Sequence, residues 1–403
     1  METILHCDLN NFYASVECLF DPALKKVPMA VGGDESRRHG IVLAKNELAK
    51  GFGVITAETL YSARRKCPNL VVVPPHFERY QAFSEQVREI YGRYTPLCEP
   101  FGLDECWLDL SGTELFGQQA GDLLRECVKD ETGLSISVGV SYNKVFAKLG
   151  SDMRKPDATT VISRQDYREK IWPLPVEAML FVGRKSARRL KGIGIYTIGA
   201  LAGMDVSLLS SLFGKNGIRM HRYANGEDKS AVWPYTYERE AKSVGNGLTA
   251  PYDLKDLKQA KELIYPLCEK VSQRLRAAYK KCGGVGVQIK GRDFKRMNRQ
   301  KSFREPTWLC SQLAEAVVEL VAANWDFATS IRALQVRAFA LSDCACEQLT
   351  LFTETGLIRQ EQLEQTLCAL RARFGDGCVM RGVAVQSKLY PHAPGFLQEY
   401  GLA

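Results

Sequence analysis

No run of apolar residues in the chain approaches the ~18 that a membrane-spanning helix requires, so a spanning protein is not expected. Neither an internal repeat nor a low-complexity tract occurs, which leaves no sign of a solenoid. The 13 cysteines form no C-x-x-C pair, and the closest two are Cys344 and Cys346. An odd count without metal-ligand spacing argues against both a zinc site and a disulfide framework. The thiols are expected reduced and mostly buried. The start, METILHCDLN, carries an acid at Glu2 and lacks a basic n-region, so it is not expected to be a secretory signal. A cytoplasmic protein is the expectation.

What is present is ordinary in bulk: 45% hydrophobic and 25% charged residues over 403 positions. Such values exclude a mainly disordered or collagen-like chain. At roughly 100–200 residues per domain the length suits two to four units. Charge is unevenly divided. Residues 242–342 hold 18 Lys+Arg against 9 Asp+Glu, whereas the whole chain has 54 against 46. One quarter of the molecule therefore carries the entire positive excess, as a polyanion-binding module would. The bland alternative is a merely solvated basic face.

Strands and helices alternate along the first 160 residues. Ile4-Leu5-His6-Cys7-Asp8-Leu9 reads as a buried strand ending in a carboxylate, and Phe12, Val16, Leu19 and Phe20 follow at near-helical spacing. Further strands are expected over 27–31, 41–44, 70–73 and 135–140, and helices over 47–51, 77–94, 120–131 and 142–153. The pattern predicts an α+β layer with a mixed sheet. Short glycine-punctuated helices are expected over 172–226, then a polar linker. A long helix over 258–280 follows, then strands over 285–289 and 302–303 flanking a Lys/Arg-rich hairpin, and a last strand over 331–341.

Asp8 ends one strand, and Asp104 and Glu105 stand at a turn entering another. Alone, an Asp-Glu pair is usually a surface turn. Three carboxylates gathered by a sheet, however, make a hard oxygen site suited to Mg²⁺. The surrounding residues add order and spacing: Asp8-Leu-Asn-Asn-Phe-Tyr-Ala-Ser-Val-Glu17, then Leu103-Asp-Glu-Cys-Trp-Leu-Asp109, then Ser137-Val-Gly-Val-Ser-Tyr-Asn-Lys-Val-Phe-Ala-Lys148, then Asp152-Met-Arg-Lys-Pro156. These four linked motifs resemble the Y-family of translesion DNA polymerases. The likeness spans the N-terminal 160 residues and continues more weakly to about residue 390.

The resemblance implies a template-directed DNA polymerase for error-prone translesion synthesis in DNA repair. Asp8, Asp104 and Glu105 would be the catalytic carboxylates, holding two Mg²⁺ ions with the Leu9 carbonyl as a further ligand. A primer 3′-hydroxyl would attack the α-phosphate of a dNTP. Tyr13 occupies the steric-gate position, where a ring crowds the 2′ carbon of the sugar; its alternative is a core tyrosine. Lys155 and Lys50 match basic residues that hold the triphosphate. Asn143 and Lys144 either approach phosphate or cap a helix.

Phe181-Val-Gly183-Arg184-Lys185, with the glycines at 192 and 194, resembles a helix-hairpin-helix that would present Gly183, Arg184 and Lys185 to a DNA phosphate. The basic block matches the little finger. Lys290, Arg292, Lys295, Arg296, Arg299, Lys301 and Arg304 would form a row of cations along the DNA backbone. Gln348-Leu349-Thr350-Leu351-Phe352 resembles the pentapeptide that docks on the bacterial sliding clamp, the β subunit, with Gln348, Leu349, Leu351 and Phe352 as anchors.

The implied fold is an α+β multidomain right-hand polymerase. It has a mixed-sheet palm with small fingers (1–168, fingers about 19–78), a helical helix-hairpin-helix thumb (169–236) and an α+β little finger (242–342). A tail (343–403) carries the clamp motif and a terminal helix. The expected partners are primer-template DNA, dNTPs and the clamp, for a nucleoid-associated cytoplasmic monomer. The need for an accessory subunit stays open.

Some positions depart from the family's pattern. Gly102 replaces a serine, Asn10 an acid, Glu47 a triphosphate-contacting tyrosine, and Phe181 the first glycine of the hairpin. The 51 residues after Phe352 are more like the polymerase V catalytic subunit than polymerase IV-like members, and the branch stays open. Two rivals remain. A non-catalytic clamp- and DNA-binding scaffold would show erosion of the three carboxylates, which is not seen. A helix-hairpin-helix glycosylase or nuclease is disfavoured by the strands before Trp172.

Overall fold

The structure, a computed structural model, describes residues 2–35, 38, 40–237, 240–343, 355–375, 378, 379, 381 and 382, with backbone alone for 355–358. The chain divides into two compact units, Met1–Gly32 with Val42–Glu238 and Gly33–Ile41 with Arg239–Ala403.

In the first unit, β1 (Ile4–Leu9) leads into α1 (Phe12–Phe20), β2 (Met29–Gly32), β3 (Val42–Lys45), α2 (Glu47–Gly51), α3 (Leu60–Lys66) and β4 (Val71–Val73). Then come α4 (Phe77–Gly92), β5 (Cys98–Pro100), β6 (Glu105–Asp109), α5 (Gly117–Thr132), β7 (Ile136–Ser141), α6 (Lys144–Met153) and β8 (Thr159–Val161). The main sheet runs β5-β6-β1-β7-β8, and a small sheet runs β3-β2-β4. In the main sheet β1 is antiparallel to β6 and β7, and β8 is parallel to β7, so the expected mixed sheet is present.

β1 is the central strand and is buried along its whole length. Its side chains alternate between the two faces. Leu5, Cys7 and Leu9 enter the core with Phe12, Tyr80, Val87 and Leu124, which leaves His6 and Asp8 on the face that α6 covers. That helix lies almost on the strand backbone. A Cβ at Gly139 in β7 would stand 1.9 Å from the Ala147 carbonyl oxygen and 2.4 Å from the Ser151 nitrogen. Only glycine admits this approach, and it brings Lys148 and Ser151 down onto β1.

The unit continues with helices α7 (Tyr167–Ile171), α8 (Arg184–Lys191), α9 (Ile198–Ala202), α10 (Val206–Phe213) and α11 (Lys215–Ala224), the short-helix region expected from its glycines. Their own core contains Ile171, Leu190, Ile198, Leu201 and Met220.

The second unit contains β9 (Ser243–Leu254), α12 (Leu257–Ala277), β10 (Lys280–Gly291), β11 (Arg296–Thr307), α13 (Cys310–Asn324), β12 (Ile331–Asp343) and α14 (Thr355–Phe374). The antiparallel sheet runs β11-β10-β12-β9, and residues of α12 and α13 form one core with it. The basic hairpin differs from expectation: it is two strands of 12 residues each. β11 is an edge strand, where charged side chains reach water without interrupting the ladder. Polar composition concealed its length.

Candidate active site

Asp8 and Glu105 stand directly opposite each other in the β1–β6 ladder. Asp104 ends the turn before β6, tied to β1 because Leu9 N–H donates to its carbonyl oxygen at 3.0 Å. The sheet thus gathers the three predicted carboxylates, two of them as a like-charged cross-strand pair that needs a counter-cation. Lys148 meets part of that need: its Nζ is 3.0 Å from Asp8 Oδ2 and 3.0 Å from Glu105 Oε2. Lys155 Nζ is 2.8 Å from the same Asp8 oxygen and 2.9 Å from Asp152 Oδ1.

The electrostatics follow from burial and these charges. Burial, then the charges of Asp8 and Glu105, pushes the Asp104 carboxyl up to about 6. Burial also works to raise Glu105, but the facing His6 ring and the charge of Lys148 outweigh it and hold that carboxyl at about 2. Burial opposes the charge on Lys148; Asp8, Asp152 and Glu105 overcome it and keep the ammonium firmly protonated. The site therefore pairs its lysines with Asp8 and Glu105 and leaves Asp104 short of positive charge.

This donor set fits a divalent cation. It offers hard carboxylate oxygens, the kind that Mg²⁺ and Mn²⁺ prefer. Carboxylate oxygens of Asp8 and Glu105 lie within 4.8 Å of each other, with a His6 ring nitrogen beside them in the same compact group.

Around the carboxylates, Tyr13 stacks on Tyr80 and meets Phe77 edge-on, while Phe12 is buried packing. Lys50 Nζ lies 3.4 Å from Glu47 Oε1, which also accepts from Asn11 Nδ2 at 2.9 Å. The acid in place of a tyrosine is thus already occupied by Lys50 and Asn11. Asn10 is structural: it accepts from Ser137 Oγ at 2.8 Å and donates to Ser135 Oγ at 3.2 Å. Gly102 has φ +98, where a side chain is strained, and its carbonyl accepts from Arg88 at 2.7 Å. A serine there would have to adopt another backbone path.

Asn143 and Lys144 belong to the architecture. Asn143 caps α6 by accepting from Phe146 N–H at 2.8 Å, and Lys144 makes a buried pair with Glu99 at 2.6 Å. Gly183 is the N-cap of α8, with Arg184 and Lys185 in its first turn and exposed. Phe181 sits at φ +67, a conformation that glycine would adopt freely.

In the second unit Arg292, Lys295, Arg296, Arg299, Lys301 and Arg304 are exposed and Lys290 is half-exposed. They do not form a single row. Arg299 and Lys301 stand opposite Val287 and Val285, on the face that the helices cover, whereas Arg296 stands opposite Lys290 on the other face. Lys301 is already paired with Glu319 of α13. The Arg296–Lys290 pairing places like charges directly across the ladder, an arrangement that an anion would relieve. The pentapeptide Gln348, Leu349, Leu351 and Phe352 lies outside the described residues.

Sequence reasoning assigned no role to His6, Lys148 or Asp152. For His6 a signal existed, its position two residues before Asp8 on the same strand face. For Lys148 and Asp152 the signal was their i,i+4 spacing on the helix after β7.

A profile described as the impB/mucB/samB family matches residues 7–152, and one described as the C-terminal domain of that family matches residues 241–351. A DNA polymerase IV of Acetivibrio thermocellus is 45% identical over 392 residues, covering 96% of this chain and 98% of that protein. The DNA polymerase IV of Clostridium acetobutylicum is 35% identical over 396 residues, covering 96% and 99%. Among solved structures, a chimeric Y-family DNA polymerase superposes with a TM-score of 0.73 at 21% identity, covering 85% of this chain and 99% of that one.

The fold is the mixed-sheet α+β fold of a DNA polymerase. More narrowly, the chain belongs to the impB/mucB/samB family, the Y-family of DNA polymerases.

Proposed function

We propose that this Y-family member carries out template-directed DNA synthesis past template damage, with Asp8, Asp104 and Glu105 as its catalytic carboxylates. The observation that carries the reading is their convergence at the end of β1 with Lys148 and Lys155 beside them. Asp8, Asp104, Glu105 and the Leu9 carbonyl would hold two Mg²⁺ ions. Bound there, divalent ions supply charge neutralisation for the attacking 3′-hydroxyl and the departing pyrophosphate. The protein's own part is positioning and charge balance. Lys155 leaves Asp8 and Asp152 for the triphosphate, and Lys50 leaves Glu47 for it, each as a mobile point charge. Tyr13 excludes a 2′-hydroxyl.

In this reading residues 1–168 are palm and fingers, 169–236 thumb, 242–342 little finger and 343–403 the tail. Gly183, Arg184 and Lys185 approach a DNA phosphate at the start of α8. Lys290, Arg292, Lys295, Arg296, Arg299, Lys301 and Arg304, on β10, β11 and the turn between them, contact the duplex backbone at this edge of the sheet. Such contacts position DNA without reading sequence. The Gln348–Phe352 segment docks on the sliding clamp of a bacterial cytoplasm. Among the described residues no helix is long and apolar enough to cross a membrane.

Chelation tests the metal reading. EDTA should end primer extension and added Mg²⁺ should restore it, while Asp8→Ala stays inactive at every Mg²⁺ concentration. Activity in Asp8→Ala would reject the assignment. Deleting residues 348–352 should remove stimulation by the clamp and leave basal extension intact; persistent stimulation would dismiss the motif.

A further inference from the structure

His6 is buried completely, at 0% exposure, and its ring is held on three sides. Nδ1 is 2.9 Å from Ser151 Oγ on α6. The Trp107 ring meets it edge-on, with centroids 5.1 Å apart and planes at 66°. Nε2 faces Glu105 Oε2 at 3.2 Å, within reach although the two are not aligned as a hydrogen bond, and it has no hydrogen-bond partner among the described residues. Ser151 Oγ is also 2.8 Å from the Lys148 carbonyl oxygen.

One hydroxyl proton serves two acceptors here. If Ser151 donates to the Lys148 carbonyl, Nδ1–H donates to Ser151 and a neutral ring turns the Nε2 lone pair toward a carboxylate. That arrangement buries two facing acceptors, which is costly. If Ser151 donates instead to Nδ1, the ring carries its proton on Nε2 and donates to Glu105. Only this second arrangement satisfies both groups with a neutral ring.

We propose that His6 is a positioning residue for Glu105, its Nε2–H donating to Oε2 while Ser151 fixes the tautomer. With Lys148 on the same oxygen at 3.0 Å, the Glu105 carboxylate is held in one orientation before any ion or nucleotide arrives. A histidine that orients a metal-site carboxylate in this way resembles the outer-sphere partners of other metal sites, whose removal costs on the order of 10- to 100-fold in affinity or activity. The inference rests on reading Glu105 as a catalytic carboxylate.

The test compares His6→Phe, which fills the volume and donates nothing, with His6→Gln, whose amide can donate toward Glu105, and with Glu105→Ala. Long-range ¹H–¹⁵N spectra of the metal-free wild type report the tautomer. The chain has only 5 histidines, and the His6 ring is identified by its loss in either His6 variant. The expected result is a ring protonated at Nε2. His6→Phe should lower kcat on the order of 10- to 100-fold with the dNTP KM and melting temperature near wild type, and His6→Gln should recover most of the rate.

A ring protonated only at Nδ1 would overturn the proposal. So would His6→Phe at the wild-type rate, or the Phe and Gln variants failing equally. Should His6→Phe not fold, the wild-type spectrum and the His6→Gln rate still decide. Full activity in Glu105→Ala would defeat the underlying site reading instead. An inactive Glu105→Ala beside a normal His6→Phe would defeat this inference alone.

Discussion

Tyr13 lies flat against Tyr80, the ring centroids 4.2 Å apart and the planes 10° from parallel. Tyr80 is itself immobilised. It is fully buried, and its hydroxyl donates to Glu17 Oε1 at 2.6 Å. Glu17 in turn holds His76 at 2.9 Å and Arg79 at 3.0 Å. Phe77 meets Tyr13 edge-on, with centroids 6.0 Å apart. These contacts hold the Tyr13 ring in one place.

Under the gate role proposed for Tyr13, replacing that ring should open space for a 2′-hydroxyl. Tyr13→Ala is expected to raise ribonucleotide use relative to deoxynucleotide by at least ~10-fold, which corresponds to about 1.4 kcal/mol of lost discrimination. Tyr80→Leu, which removes only the backing ring, should move selectivity the same way by less. Paired single-nucleotide kinetics with rATP and dATP would measure both. Unchanged selectivity in Tyr13→Ala removes the gate assignment.

The last described helix is bound to the second unit by a buried charge. Glu364 accepts from Cys310 N–H at the start of α13 at 3.0 Å and pairs with Arg276 at 2.5 Å and Arg381 at 3.1 Å. Glu364→Ala would leave two arginines facing a cavity. Breaking a buried pair of this kind typically costs about 3–5 kcal/mol. The urea midpoint of the transition that reports this unit should fall markedly. A midpoint within error of wild type would mean that α14 is not docked in solution.

Asp104 makes the metal-free protein sensitive to pH. Its folded value of about 6 lies above the roughly 3.9 of an unfolded aspartate, so the folded state binds the proton more tightly. The stability it contributes is complete below about pH 4 and is lost as pH rises toward 6. A divalent ion that neutralises the cluster should reverse that loss. The gain in melting temperature on adding Mg²⁺ is therefore expected to be larger at pH 7 than at pH 5. Equal gains would separate Asp104 from the ion site.

Much of this molecule is legible in the chain, for identifiable reasons. β1 announces itself by an unbroken buried run, and its alternation places Asp8 opposite the face of Leu5 and Cys7. The carboxylate motifs are local in sequence, so their likeness to the family's motifs exposes them. What stays hidden depends on distant pairings. Lys148 reaches Asp8 across 140 positions, and Arg276 reaches Glu364 across 88. Lys144 looks like a phosphate contact until Glu99 is seen beside it. The basic strand reads as a single row of cations because pattern alone does not reveal which residues of β10 oppose it.

The central claim is that the carboxylates at the end of β1 and the start of β6 perform nucleotidyl transfer on primed DNA. Its most direct test is primer extension with Mg²⁺ and dNTPs, on an undamaged template and on one with an abasic site, comparing wild type with Asp104→Ala/Glu105→Ala. Wild type should extend the undamaged template and pass beyond the abasic site, and the double variant should do neither, with primer-template binding retained in both proteins. Extension by the double variant, or none by wild type despite tight binding, would contradict the claim.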